Sequence, residues 1–170
     1  VIYRVDPDTN QSIEVYHHQF YVRDLAFDPA GRLYFSEAWG AGGDGMILRV
    51  TVEPHVVVEP FYAVRLAQVH NYWAGDFTFD RSGTLYLSSG NHIGAHVYRV
   101  NDPGAGSPPI AVHSEPGSSI CGIALDRDNR LHYSSWSTGL GTIYRLDLAT
   151  HERVAVHSFP DRSIWDVSFR

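Results

Sequence analysis

Lysine is absent from the 170-residue chain, and its 13 basic side chains are arginines scattered singly against 19 acidic ones, for a net charge of -6. A surface that grips nucleic acid needs a basic stripe, so nucleic acid is excluded as a partner. A single cysteine, Cys121, excludes an internal disulfide framework and a cysteine-built zinc cluster. No run of apolar residues is long enough for a helical membrane span, and the opening residues lack the charged, apolar and small-residue succession of a secretion signal. Insertion into a membrane is therefore not expected. Missing too are the G-x-S-x-G elbow and the glycine patterns of dinucleotide and phosphate loops, so no local motif specifies a catalytic residue. Charged residues make up only 19% of the chain and hydrophobic ones 44%, a composition that packs rather than repels itself.

What is present is repetition. Arg23 to Ser36 (RDLAFDPAGRLYFS), Gly75 to Ser88 (GDFTFDRSGTLYLS) and Cys121 to Ser134 (CGIALDRDNRLHYS) align without gaps, and a further copy starts at Trp165 (WDVSFR), at spacings of 52, 46 and 44 residues. A second element recurs as Ile2 to Asp6, Ile47 to Thr51, Val97 to Asn101 and Ile143 to Asp147. A third follows it each time, as Ser12 to His18, His55 to Pro60, Ile110 to His113 and Val154 to His157. These segments alternate or cluster β-branched and aromatic residues, which marks strands. Asp28 to Gly31, Asp80 to Gly83 and Asp126 to Asn129 each open on Asp and close on Gly or Asn, which marks a tight turn.

Four antiparallel strands per unit at a period of about 45 residues point to an all-β chain, a β-propeller segment. A β-sandwich also uses short antiparallel strands, but it has no reason to repeat sequence unit by unit. The units run over residues 22–59, 74–114 and 120–158, three whole blades, with partial blades at 1–18 and 164–170. The first partial blade carries third and outer strands, the last an inner strand, and no second strand joins them. The expectation is an incomplete ring, completed by another chain or by a segment outside these residues.

The stretches FDPAGRLYFSE, FDRSGTLYLSS and LDRDNRLHYSS resemble the repeats of six-bladed propellers of the NHL-repeat and gluconolactonase/regucalcin-like kind. The resemblance implies a propeller fold. In its lactonase branch it also implies a divalent metal, calcium or magnesium, held in the central channel by carboxylates and asparagines from different blades. The candidates here are Glu37, Asp24, Asp76 and Asn91, with Asp166 at the position equivalent to Asp24 and Gly122 where the third blade departs from it. The same Asp residues have a structural alternative, accepting backbone N–H bonds.

The connections from second to third strand and from outer to next inner strand emerge on one face, rich in Gly, His and Trp. From that face Trp39, Tyr72, His92 and Trp136 are the candidates for ligand contact. Three readings follow. The first is a non-enzymatic binding or scaffold module for a protein, peptide or carbohydrate, with no cofactor. The second is a metal-dependent lactonase-type hydrolase, and the third a sensor portion of a longer regulatory protein.

Overall fold

A computed structural model of the chain describes residues 1–38, 45–52, 55–64, 75–91 and 94–169. Among them there is no helix. β1 (Ile2–Val5) and β2 (Ser12–Tyr16) form a two-stranded half-blade. β3 (Tyr21–Phe27), β4 (Leu33–Ala38), β5 (Gly45–Thr51) and β6 (Val57–Val64) form the first whole blade. β7 (Phe77–Phe79), β8 (Leu85–Asn91), β9 (Gly94–Val100) and β10 (Ile110–Pro116) form the second. β11 (Ser119–Leu125), β12 (Leu131–Ser137), β13 (Leu140–Leu146) and β14 (Arg153–Pro160) form the third. Each sheet is an antiparallel meander in sequence order, which is the blade the repeat predicts.

The turn between inner and second strand is written by one aspartate. Asp28 Oδ1 accepts the backbone N–H groups of Ala30 at 3.0 Å and Arg32 at 2.9 Å, while Gly31 takes φ +76°. Asp80 holds Ser82 and Thr84, each at 2.9 Å, and Gly83 sits at φ +88°. Asp126 holds Asp128 and Arg130, each at 2.9 Å, with Asn129 at φ +62°. A short acceptor at the first position and a residue tolerant of positive φ at the last are what this turn requires.

The blades pack face to face through alternate strand positions. Between the first and second, Tyr34, Ile47 and Tyr62 meet Phe77, Leu85, Leu87 and Val100 in one buried cluster. The Tyr34 ring lies 4.9 Å from that of Phe79. Between the second and third, Tyr86, Val97 and Val112 meet Ile120, Ile123, Leu131, Tyr133 and Leu146. Burial of each such side chain contributes about 1.5–3 kcal/mol, so truncating Leu87 or Tyr34 would cost several kcal/mol.

Residues 164–169 were expected as a fourth inner strand. They lie along the third blade in that place, but no strand pairs with them among the described residues. Ser134 Oγ accepts the N–H of Gly122 at 2.8 Å and donates to the Ile164 carbonyl at 3.0 Å. The Phe169 ring lies 4.7 Å from His132, repeating the Tyr34–Phe79 contact two interfaces further on. Gly122 is explained by this approach, since a Cβ there would stand 2.7 Å from the Val167 backbone nitrogen. No ladder joins 164–169 to β1 or β2, so the described chain is an open arc.

Candidate functional site

The strand register gathers several of the sequence candidates at one end of the blades. Asp24, midway along β3, pairs with Ser36, two residues before the end of β4, and Trp136 pairs with Ser119 at the start of β11. This is the end from which the second-to-third strand connections emerge. In the third blade that connection is the tight turn Thr138–Gly139, at φ +41° and +85°. Trp136, just before it, is 38% exposed.

Asp24 links two blades. Its Oδ1 accepts the N–H of Leu25 at 2.7 Å and its Oδ2 that of Phe77, in the next inner strand, also at 2.7 Å. The carboxylate therefore has the backbone-accepting use, reaching across to the neighbouring blade. Burial nevertheless pushes its pKa up to about 6, because desolvation outweighs the two amides and the charge of Asp166 adds to it. Asp76 is 7% exposed and is pushed further, to about 8, first by burial and then by the charge of Asp24. Its cationic neighbour is Arg23, with Nε 4.0 Å from Oδ1. Cys121 lies in the same electrostatic neighbourhood, buried, its thiol pushed up by desolvation and by Asp76. Asp24 and Asp76 thus share a neighbourhood with the charges of Asp166 and Arg23.

Such a cluster can hold a proton or receive a cationic group. As a metal cage it falls short, for among the described residues no three of His, Cys, Asp or Glu come close enough to bind an ion. Glu37 does not join the aspartates. It is buried and turned toward the half-blade, its Oε2 2.7 Å from His18 Nε2. His18 in turn lies edge-on to Phe35 at 5.0 Å and Phe20 at 5.6 Å. Asn91 ends β8, and its side chain lies outside what is described. Trp39, Tyr72 and His92 lie outside the described residues.

One cluster went unseen in the sequence. Glu115, at 5% exposure, ends the outer strand of the second blade and is reached from the third. Ser135 Oγ donates to it at 2.5 Å, His113 Nε2 lies 3.3 Å away, and Tyr133 and Arg153 also donate to it. Burial alone would raise this carboxyl, but the bonds from His113, Ser135 and Tyr133 and the Arg153 charge together bring it down to about 2. Tyr133 is pushed up in pKa, by burial and then by its bond to Glu115. Residues 113 and 115 occupy the outer-strand register of 16 and 18, since Val97 pairs with His113 as Ile2 pairs with Tyr16. The clasp therefore repeats with its members exchanged: His18 to Glu37 at one interface, Glu115 to Ser135 at another. Aligning the outer-strand ends would have revealed it.

No protein-family model matches the chain, and no curated protein does. Solved structures match it as folds. A gluconolactonase from Xanthomonas campestris aligns at TM-score 0.58 and 22% identity, over 77% of this chain and 40% of its own. An oligogalacturonate lyase in complex with manganese aligns at 0.56 and 17% identity, over 93% and 48%. A chain of the nidogen/laminin complex aligns at 0.63 and 13% identity, over 89% and 54%. The chain thus spans about half the length of the structures it matches. The fold is that of the β-propellers, and at these identities the likeness extends to fold alone.

Proposed function

We propose that the chain is part of a binding propeller whose recognition surface is the blade end carrying Asp24, Asp76 and Trp136. The observation that carries this reading is the pair of neighbouring carboxylates, half-buried Asp24 and buried Asp76, both displaced upward in pKa, with Arg23 as the adjacent guanidinium. Displaced carboxylates are relieved by a bound cation, and perturbed groups of this kind concentrate at functional sites. The ligand class that fits is a protein or peptide presenting a lysine or arginine side chain, with the exposed Trp136 of the third blade offered as an apolar contact. Titrating the chain calorimetrically with short arginine-containing peptides, with neutral oligosaccharides as the comparison, tests the assignment. Peptide binding lost in Asp76→Asn supports it. Saccharide binding that depends on Trp136 alone would turn the surface into a carbohydrate site and overturn it.

A second reading, a metal-dependent hydrolase of lactones, draws on the gluconolactonase and the manganese-bound lyase among the structural likenesses. Asp24 and Asp76 are the described residues that would contribute to its metal. Its test is a rise in Tm with calcium, magnesium or manganese together with metal-dependent opening of a lactone. Neither effect in the chain would remove this reading.

A further inference from the structure

Equivalent positions of the repeat meet different fates at its two ends. In the second blade Phe77 is 2% exposed and Phe79 half-buried, both packed in the cluster to which Ala26 and Tyr34 of the blade before belong. Their counterparts one repeat earlier, Leu25 and Phe27, are 48% and 66% exposed. Those two side chains, with Ile2, Val15, Leu33 and Val50, line an open apolar groove of about 520 Å³ between the half-blade and the first blade. Among the described strands β1 pairs with β2 alone, so its other backbone edge is open, and Ile2, Tyr3 and Arg4 of that strand line the same groove.

The chain itself shows what fills such a seat. At every described interface beyond the first, a ring on the second strand lies on the inner strand of the next blade. Tyr34 lies on Phe79, Tyr86 belongs to the cluster with Ile123, and His132 lies on Phe169. Each of these rings stands in register opposite an arginine of the third strand: Tyr34 with Arg49, Tyr86 with Arg99, His132 with Arg145. By the register of Ile2 with Ile47, Arg4 is the fourth arginine of this series, exposed and lacking its ring.

We propose that the groove is the seat of a β-hairpin of the same repeat, an inner strand and a second strand. The second strand adds to the open edge of β1 and sets an aromatic ring opposite Arg4 and over Phe27. Backbone pairing along β1 supplies affinity, and the apolar seat supplies register and selectivity. The occupant is one more repeat of this array, which agrees with matched structures about twice as long.

A synthetic peptide of the Gly75 to Ser88 sequence, carrying Tyr86, is the probe. It should bind the intact chain in a saturable one-to-one manner and raise its Tm. Binding should weaken by about tenfold or more with Tyr86→Ser in the peptide or Phe27→Asp in the chain, as for loss of an anchor residue. Because Phe27 is already exposed, circular dichroism of that variant should be unchanged. Joining the same hairpin by a linker ahead of Val1 removes dependence on the peptide folding alone, and should raise Tm and protect the β1 amides from hydrogen exchange. A tethered hairpin that changes neither overturns the proposal. So does a chain that sediments as a dimer and becomes a monomer on Phe27→Asp, which assigns the groove to a second copy.

Discussion

Glu115 and Asp76 are buried to nearly the same degree, at 5% and 7% exposure, yet their carboxyls shift in opposite directions, to about 2 and to about 8. Burial acts on both in the same sense. The difference lies in the partners: Glu115 receives bonds from two hydroxyls, lies beside a histidine and is paired with Arg153, whereas Asp76 has Arg23 4.0 Å away and two further aspartates in its field. A carboxylate supplied with donors clamps two blades together. One left short of them is poised to take up a proton or a cationic ligand, and that contrast separates the framework of this molecule from its candidate site.

The sharpest way to break the contrast is Glu115→Gln, which leaves Arg153 without its anion and disturbs the hydroxyl bonds. Stability should fall by about 3 kcal/mol in urea unfolding, and the loss should persist at neutral pH. Tyr133→Phe removes one hydroxyl from the same clasp and should cost about 1–2 kcal/mol by the same assay. Asp76→Asn should act with the other sign. The native state binds the Asp76 proton more tightly than the unfolded chain does, so the parent protein should lose stability as pH rises from about 4 to about 8. The variant should keep only the part of that slope that Asp24 supplies, between about 4 and about 6, and be the more stable at pH 8, by on the order of 1–2 kcal/mol. Glu115 runs the opposite way, its contribution present above its ordinary value and lost as pH falls toward about 2, so the parent should lose stability in both directions, through Glu115 in acid and through Asp76 as pH rises. Gly122→Asp, which writes the aspartate of the other blades into the third, should push residues 164–169 off the sheet, raising exchange at the Val167 amide while costing about 1 kcal/mol. Trp136→Ala should stay within about 0.5 kcal/mol of the parent and show its effect in ligand binding alone.

The blade meander was legible because each of its signals is local. Alternating strand residues and an aspartate with a glycine or asparagine three positions later settle β3 to β4, β7 to β8 and β11 to β12 without reference to the rest of the chain. Asp24 and Asp76 could be placed near each other for the same reason, as equivalent points of a repeat. What the sequence concealed depends on which neighbour a side chain turns toward. Glu37 sits one strand position from Ser36 in sequence, and that single step turns it to His18 and the half-blade while Asp24 reaches to Phe77. The Glu115 clasp joins an outer strand to the second strand of the following blade, 20 residues on at Ser135, with the acid on different strands at the two interfaces. The repeat masks this pairing because acid and partner exchange places. Gly122 looked like a lost ligand position and is a packing position, a distinction visible only once Val167 lies against it.

The aspartate turns bear on how this chain reaches its fold. Because Asp28, Asp80 and Asp126 fasten each hairpin through amides two and four residues away, the first contacts of every blade span little sequence and close with small entropic cost. A protein assembled from such units has a contact order low for an all-β chain, and its blades can form in succession during synthesis, each new hairpin docking on the one already made.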